Sequence, residues 1–210
     1  MQAIFRQNIV DAAKYHPEWD KKNLLEIADY LNGLAMQKYR PEAGARSLPV
    51  LKIKELRQGQ CDATSERCAA SIDSKYIAND GDVIFSWSGS LLVDFWCGGA
   101  CGLNQHLFKL TSERYDKWFY YSWTAYYLRH FAAIAADKAT TMGHIKRSDL
   151  QKTTVYIPSM QEYDELGKIL QPMVNAIIQT RIESRRLAAL RDILLPKLMS
   201  GEVDISAIDI

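Results

Sequence analysis

What this chain of 210 residues lacks narrows its chemistry first. No stretch of about 18 uninterrupted apolar residues is present, the length a membrane-spanning helix needs. The opening Met1-Gln-Ala-Ile-Phe-Arg-Gln-Asn8 has neither the apolar core nor the small-residue cleavage site of a signal peptide. The expectation is a protein of the reducing cytoplasm with no membrane partner. Cysteine is scarce and badly spaced for zinc: Cys61 and Cys68 are separated by six residues, Cys97 and Cys101 by three, and no histidine pair stands at ligand spacing. Reduced thiols and no metal are expected. An excess of either charge is also missing, since 26 basic residues face 25 acidic ones. No overall field draws the chain to nucleic acid, so any such partner must be held by local patches.

Catalytic signatures are absent as well. A hydrolase elbow reads Gly-x-Ser-x-Gly because the chain must turn tightly on both sides of the nucleophile. Around Ser88 the frame positions are Ser86 and Ser90, and no histidine is paired with an acid in a recognisable frame. Gly98-Gly-Ala-Cys-Gly102 lacks the Lys-Ser/Thr ending of a phosphate loop. Neither the cofactor loop of a methyltransferase nor the carboxylate cluster of a nuclease is found. The chain reads as a binder. A serine hydrolase using Ser88 or His144 is the alternative from another class, and a structural coiled-coil adaptor without DNA binding is a third.

What is present begins with 48% apolar residues, enough for a core without staples. Ile4, Phe5, Ile9, Val10 and Ala13 suit one face of a short helix ahead of Pro17. The run 22–31 fits a helix or a strand, broken by Asn32-Gly33. From Leu48 to about Val155, short apolar runs alternate with Gly, Asn, Asp and Ser, the rhythm of a mostly antiparallel sheet. Residues 115–136 contain no Gly or Pro and predict a helix whose aromatic stripe packs on that sheet rather than stacking bases. Ile157-Pro158 ends a strand, and Ser159-x-x-Glu162 is a capping box.

Apolar residues then recur through Leu166, Ile169, Leu170, Met173, Val174, Ile177 and Ile178, and again at Ile182, Leu187, Leu190, Ile193 and Leu194, until Pro196 and Gly201 close the segment. Roughly 35 helical residues reach about 50 Å. Such a rod is marginal alone, and Leu166, Leu170, Met173, Ile177, Leu187 and Leu194 are expected to face a partner helix. The polar stretch 179–186 reads as a solvated face or as an interface with another protein. The fold class is α+β: an antiparallel sheet domain with packed helices and a long C-terminal coiled-coil helix. The divisions are an N-terminal helix and linker (1–18), a globular domain (19–158), and a spacer helix with its tail (159–210).

Three loops concentrate groups able to contact base edges. Ser86, Ser88 and Ser90 offer hydroxyls; Asn104, Gln105 and His106 offer amides and an imidazole; and residues 140–147 offer Thr141, Gly143, His144, Lys146 and Arg147. Amides can bond adenine, cations guanine, and hydroxyls either, though each loop alone also reads as ordinary turn chemistry. Charge is sorted to match. Between Lys38 and Arg57 six cations, among them Lys38, Arg40 and Arg46, face two acids, and residues 101–152 hold eight cations against four acids. From residue 153 onward, six cations face eight acids. Phosphate contacts are thus expected on the globular part and protein contacts on the rod.

With these residues in hand, the chain resembles a specificity subunit of a type I restriction-modification system. The resemblance is carried from about Trp19 to the C-terminus by Leu48-Pro-Val-Leu-Lys-Ile-Lys-Glu-Leu56, Gly81-Asp-Val-Ile-Phe-Ser-Trp-Ser-Gly-Ser90, Leu103-Asn-Gln-His-Leu-Phe-Lys109, Thr141-Met-Gly-His-Ile145, Asp149-Leu150, Ile157-Pro158 and Leu194-Leu-Pro-Lys-Leu-Met-Ser-Gly-Glu-Val-Asp-Ile205. Each stretch is short; their order is specific. The resemblance implies a target-recognition domain that reads half of a bipartite double-stranded DNA site, followed by a spacer helix. It further implies no catalysis in this chain, with methyltransferase and restriction subunits as partners. S-adenosylmethionine would be bound by the methyltransferase subunit. The family usually carries two recognition domains and two helices per chain, whereas a single copy is seen here, with no internal repeat. That implies a homodimer through antiparallel long helices, or pairing with another half subunit.

Overall fold

The structure is a computed structural model and describes residues 1–137 and 145–202. Helices α1 (Gln2–Phe5), α2 (Leu24–Ile27), α3 (Ile53–Gln58), α4 (Lys117–Asp137), α5 (Arg147–Gln151) and α6 (Met160–Met199) are interleaved with ten strands. These are β1 (Asp20–Lys22), β2 (Asp29–Asn32), β3 (Ser47–Leu51), β4 (Arg67–Ala69), β5 (Ile77–Ala78), β6 (Val83–Ser86), β7 (Leu92–Phe95), β8 (Cys101–Leu103), β9 (Leu107–Thr111) and β10 (Val155–Ile157). One four-stranded sheet has the order β2-β9-β6-β7 and is wholly antiparallel; a second has the order β4-β3-β8-β5, where β3 and β8 run parallel. The ambiguous run 22–31 holds both readings in turn. Asn23 and Glu26 cap α2 reciprocally, and the chain then extends into β2.

The layers follow from side-chain alternation. All four residues of β6 are buried. Val83 and Phe85 face the main core against α4 and the N-terminal segment, whereas Ile84 joins Leu51, Cys101, Leu103 and Leu107 between the two sheets. A strand covered on both faces reads as a continuous apolar run, as Val83-Ile-Phe does. In α4, Trp118, Phe119, Trp123 and Phe131 are fully buried, and Tyr30 Oη bonds Thr124 Oγ1 at 2.6 Å across to β2. The aromatic stripe is core. Phe5 meets Trp123 edge-on at 5.2 Å, so the N-terminal segment contributes to the same core.

Helix α6 is longer than expected, 40 residues or about 60 Å. It runs through Pro172 and Pro196, so Pro196 does not end it. A proline near the C-terminus removes one backbone hydrogen bond in an exposed turn, where water can satisfy the freed carbonyl. The expected partner-facing stripe is corrected in its first half. Leu170 and Val174 are fully buried on the chain's own core, and Leu166, Met173 and Ile177 pack beside them. The polar stretch 179–186 is largely exposed, as a solvated face would be, but two of its cations turn onto the chain's own globule. Arg181 Nη1 donates to Asp94 at 2.8 Å and to the Phe95 carbonyl at 3.1 Å, while Arg185 pairs with Asp80 at 2.8 Å and reaches the Cys97 carbonyl. Beyond this clasp, Leu187 and Leu194 are 58% and 45% exposed.

Candidate nucleic-acid interface

Register places three loop origins at one end of the β2-β9-β6-β7 sheet. Ser86 at the end of β6 pairs with Leu107 at the start of β9, and Asn32 at the end of β2 pairs with Phe108. The loop after β6 therefore meets the turn before β9. Trp87 N donates to the His106 carbonyl at 3.4 Å, and Ile145 N donates to the Trp87 carbonyl at 3.0 Å, which brings the chain entering α5 to the same place. Gly89 turns the first loop with φ +63°. Gly33 lets β2 press against the second, because a Cβ there would lie 2.3 Å from the Asn104 carbonyl oxygen. Backbone bonds complete the seat: Leu34 N donates to Leu103 O at 2.9 Å and Gln105 N to Leu34 O at 2.8 Å.

The side chains divide into supports and presented groups. Ser86 and Ser88 are 0% and 2% exposed, so the expectation that they line an open face is corrected. Ser86 alternates onto the inter-sheet side with Ile84, and its hydroxyl donates to the Ser88 carbonyl at 3.2 Å. Ser88 Oγ bonds His106 Nδ1 at 3.0 Å, linking two of the loops. Asn104 is also buried, its Oδ1 accepting from His106 N at 3.2 Å. Ser90, Lys146 and Arg147 are exposed, and Gln105 and His106 are half-buried at the surface. Arg147 Nη1 donates to the Tyr30 carbonyl at 3.0 Å, which ties α5 to β2 and leaves other guanidinium donors outward. Lys146 N and the Asp149 carboxylate close the cap of α5 at 2.9 Å.

Two residues escaped the sequence reading. Trp87 packs its indole at 5.7 Å from Phe108 and 6.0 Å from His106, and its Nε1 donates to Asn32 Oδ1 at 3.0 Å. The signal was an aromatic side chain inside a run of hydroxyls, the composition of an anchored loop. Asn32 read only as a strand breaker. Thr141, Gly143 and His144 lie outside the described residues.

The cations of the first basic stretch disperse. Lys38 is exposed two residues after the 3-10 turn begins at Met36, close in sequence to the Leu34 bridge with Asn104. Arg46 precedes the Ser47 end of β3, opposite the Leu51 end that meets Asn104, and shares a surface cavity with Arg40, Leu48 and Asn79. Lys52 and Lys54 pair with Glu66 and Asp62. The convergent end thus carries Lys146 and Arg147, Lys38 follows the Leu34 bridge by four residues, and the Arg40–Arg46 cavity is separate.

The Ser88–His106 contact has the composition of a nucleophile and base, but its surroundings are not those of one. The other ring nitrogen of His106, Nε2, faces the Gln105 side-chain amide at 3.5 Å rather than an orienting carboxylate, and Ser88 is only 2% exposed, so substrate could not reach its hydroxyl. Among the described residues no group of three or more His, Cys, Asp or Glu side chains could hold a metal, and no helix is long and apolar enough to cross a membrane.

Comparison with known proteins identifies the family. Residues 17–185 match the family described as the type I restriction modification DNA specificity domain. The type I restriction enzyme EcoBI specificity subunit of Escherichia coli is 23% identical over 180 residues, covering 85% of this chain and 37% of that relative. The chain therefore spans well under half of that relative's length. Two solved structures share the fold: the type I restriction-modification S subunit from M. genitalium (TM-score 0.51, 18% identity, 87% of this chain and 46% of that one) and the HsdS subunit from Thermoanaerobacter tengcongensis (TM-score 0.50, 18% identity, 89% and 46%). With more than half of its length matched, the chain belongs to the family of type I restriction modification DNA specificity domains.

Proposed function

We propose that this chain recognises one half of a bipartite double-stranded DNA target through the loop cluster at the open end of the β2-β9-β6-β7 sheet. The observation that supports it most is the convergence of the 86–90, 104–106 and 145–147 loops, interlocked by the Ser88–His106 and Trp87–Asn32 bonds. A preorganised surface loses little entropy when it binds. Gln105 and Ser90 supply neutral groups for base edges, and Lys146, Arg147 and Lys38 supply phosphate contacts. Ser86, Ser88, Asn104 and the Nδ1 side of His106 hold the loops in shape.

The same reading makes the chain the recognition part of a larger complex. Methyltransferase and restriction subunits are its partners, S-adenosylmethionine belongs to the methyltransferase subunit, and this chain needs no cofactor. Two copies pair through the distal part of α6, where Leu187 and Leu194 are exposed, in an antiparallel arrangement that places two recognition surfaces on one DNA. Pairing with another half subunit would use the same helix. The test is equilibrium binding to target duplex across a salt series. Lys146→Ala and Arg147→Ala are expected to weaken binding and each to lower the salt slope by about one unit. Unchanged slopes in both variants would contradict the placement of DNA at this end.

A further inference from the structure

The four cysteines are of two kinds. Cys68 and Cys97 are buried and apart: Cys68 Sγ occupies the space a side chain at Gly102 would need, and Cys97 Sγ points at the Ile178 carbonyl of α6, 3.9 Å away. Burial pushes both thiols above their ordinary range. Cys61 and Cys101, 40 residues apart in the chain, have their sulfurs 3.3 Å apart. Cys61 is half-exposed in the loop between α3 and β4, and Cys101 is buried at the start of β8.

We propose that Cys61 and Cys101 are a peroxide-sensitive dithiol that closes to a disulfide, fastening the loop between α3 and β4 to β8. A disulfide needs its sulfurs about 2.05 Å apart, so the pair has only roughly 1.2 Å to close. That movement falls on the exposed loop, because Cys101 is fixed on a strand between β3 and β5.

The two thiols have different roles. Cys61 is the accessible one, and the hydrogen bond from Cys101 lowers its pKa, with help from the Ser65 hydroxyl and against burial and the Glu55 and Asp62 carboxylates. The same contact with Cys61, followed by burial, raises Cys101. The thiolate of Cys61 attacks the outer oxygen of a hydroperoxide, the O–O bond breaks, and the alkoxide leaves as an alcohol after taking a proton. Cys61 is then a sulfenic acid. The sulfur of Cys101 attacks that of Cys61, the S–O bond breaks, and the departing hydroxide takes the Cys101 proton and leaves as water. Two thiols and one hydroperoxide give one disulfide, one alcohol and one water. Strand β8 runs directly into Asn104, so the link would brace the strand that carries one of the surface loops. The dithiol itself is independent of what those loops bind.

The test uses the full chain, reduced and then treated with hydrogen peroxide after the reductant is removed. The expected product is lighter by about 2 Da, with two protons lost, keeps two of its four thiols, and yields a Cys61–Cys101 linked peptide that dithiothreitol separates. Cys61→Ser should lose no mass. A cross-link through Cys68 or Cys97, sulfinic or sulfonic acid at Cys61 without a link, or four thiols surviving peroxide would each overturn the proposal. Mapping the unsubstituted chain keeps the test decisive even if the variant folds poorly.

Discussion

Ser88 sits where the loops join, and its burial determines what it does. Its hydroxyl bonds His106 Nδ1 and is closed off from solvent, so it holds the loops together. Ser88→Ala should cost about 1 kcal/mol in urea unfolding, the net worth of a buried hydrogen bond, and a fluorophosphonate probe should leave the unsubstituted chain unlabelled. Labelling at Ser88 would restore the hydrolase reading. Gln105 is placed differently: half-buried at the surface, it is expected to lose about 1 to 3 kcal/mol of base discrimination on change to alanine, read as an altered methylation target of the assembled complex. The stretch Ser86-Trp-Ser-Gly-Ser90 showed where the loop was. It did not show which hydroxyls face out, because that depends on alternation along β6 and on a partner 18 residues away.

The helix α6 is the element whose start was legible and whose middle was not. Ser159 and Glu162 form the capping box read from the sequence, with Ser159 N donating to Glu162 Oε2 at 2.9 Å; the same carboxylate accepts from Trp19 Nε1 at 3.0 Å. Ser159→Ala should cost about 1 kcal/mol. The apolar periodicity was visible as well, but periodicity does not say whose core a stripe enters. Leu166 to Ile177 cover this chain's own globule, and the switch to exposure is made by Arg181 and Arg185, whose acceptors Asp94 and Asp80 are far away in sequence.

That clasp should respond to acid. The Arg185 guanidinium holds the Asp80 carboxyl below its ordinary range, and hydrogen bonding from Ser159 does the same for Glu162. Because the folded values are lower than the unfolded ones, both contributions are complete above about pH 5 and fade as pH falls through the folded values. Stability followed by urea unfolding should decline below that pH, and Arg185→Ala should remove the Asp80 share of the decline. An identical acid profile in that variant would contradict the clasp.

At the scale of the whole molecule, α6 joins a globule to a free apolar end. Two variants separate its halves. Leu170→Ala should destabilise the fold by about 2 to 5 kcal/mol, as a buried leucine does, without touching assembly. Leu187→Glu with Leu194→Glu should leave the fold intact and turn a sedimenting dimer into a monomer; a monomeric unsubstituted chain at micromolar concentration would end the pairing reading. The α+β class, the antiparallel sheets and the terminal helix could be read from apolar rhythm, whereas the parallel β3–β8 pairing and the stacking of two sheets depend on contacts between distant segments.

The central claim is that the clustered loops give a type I complex its DNA sequence. Mapping modified bases in DNA treated with the methyltransferase complex, with and without this chain, tests it most directly. The account predicts one fixed two-part target that appears only when the chain is present. The same modified positions without it, or modification at no fixed sequence with it, would contradict the account.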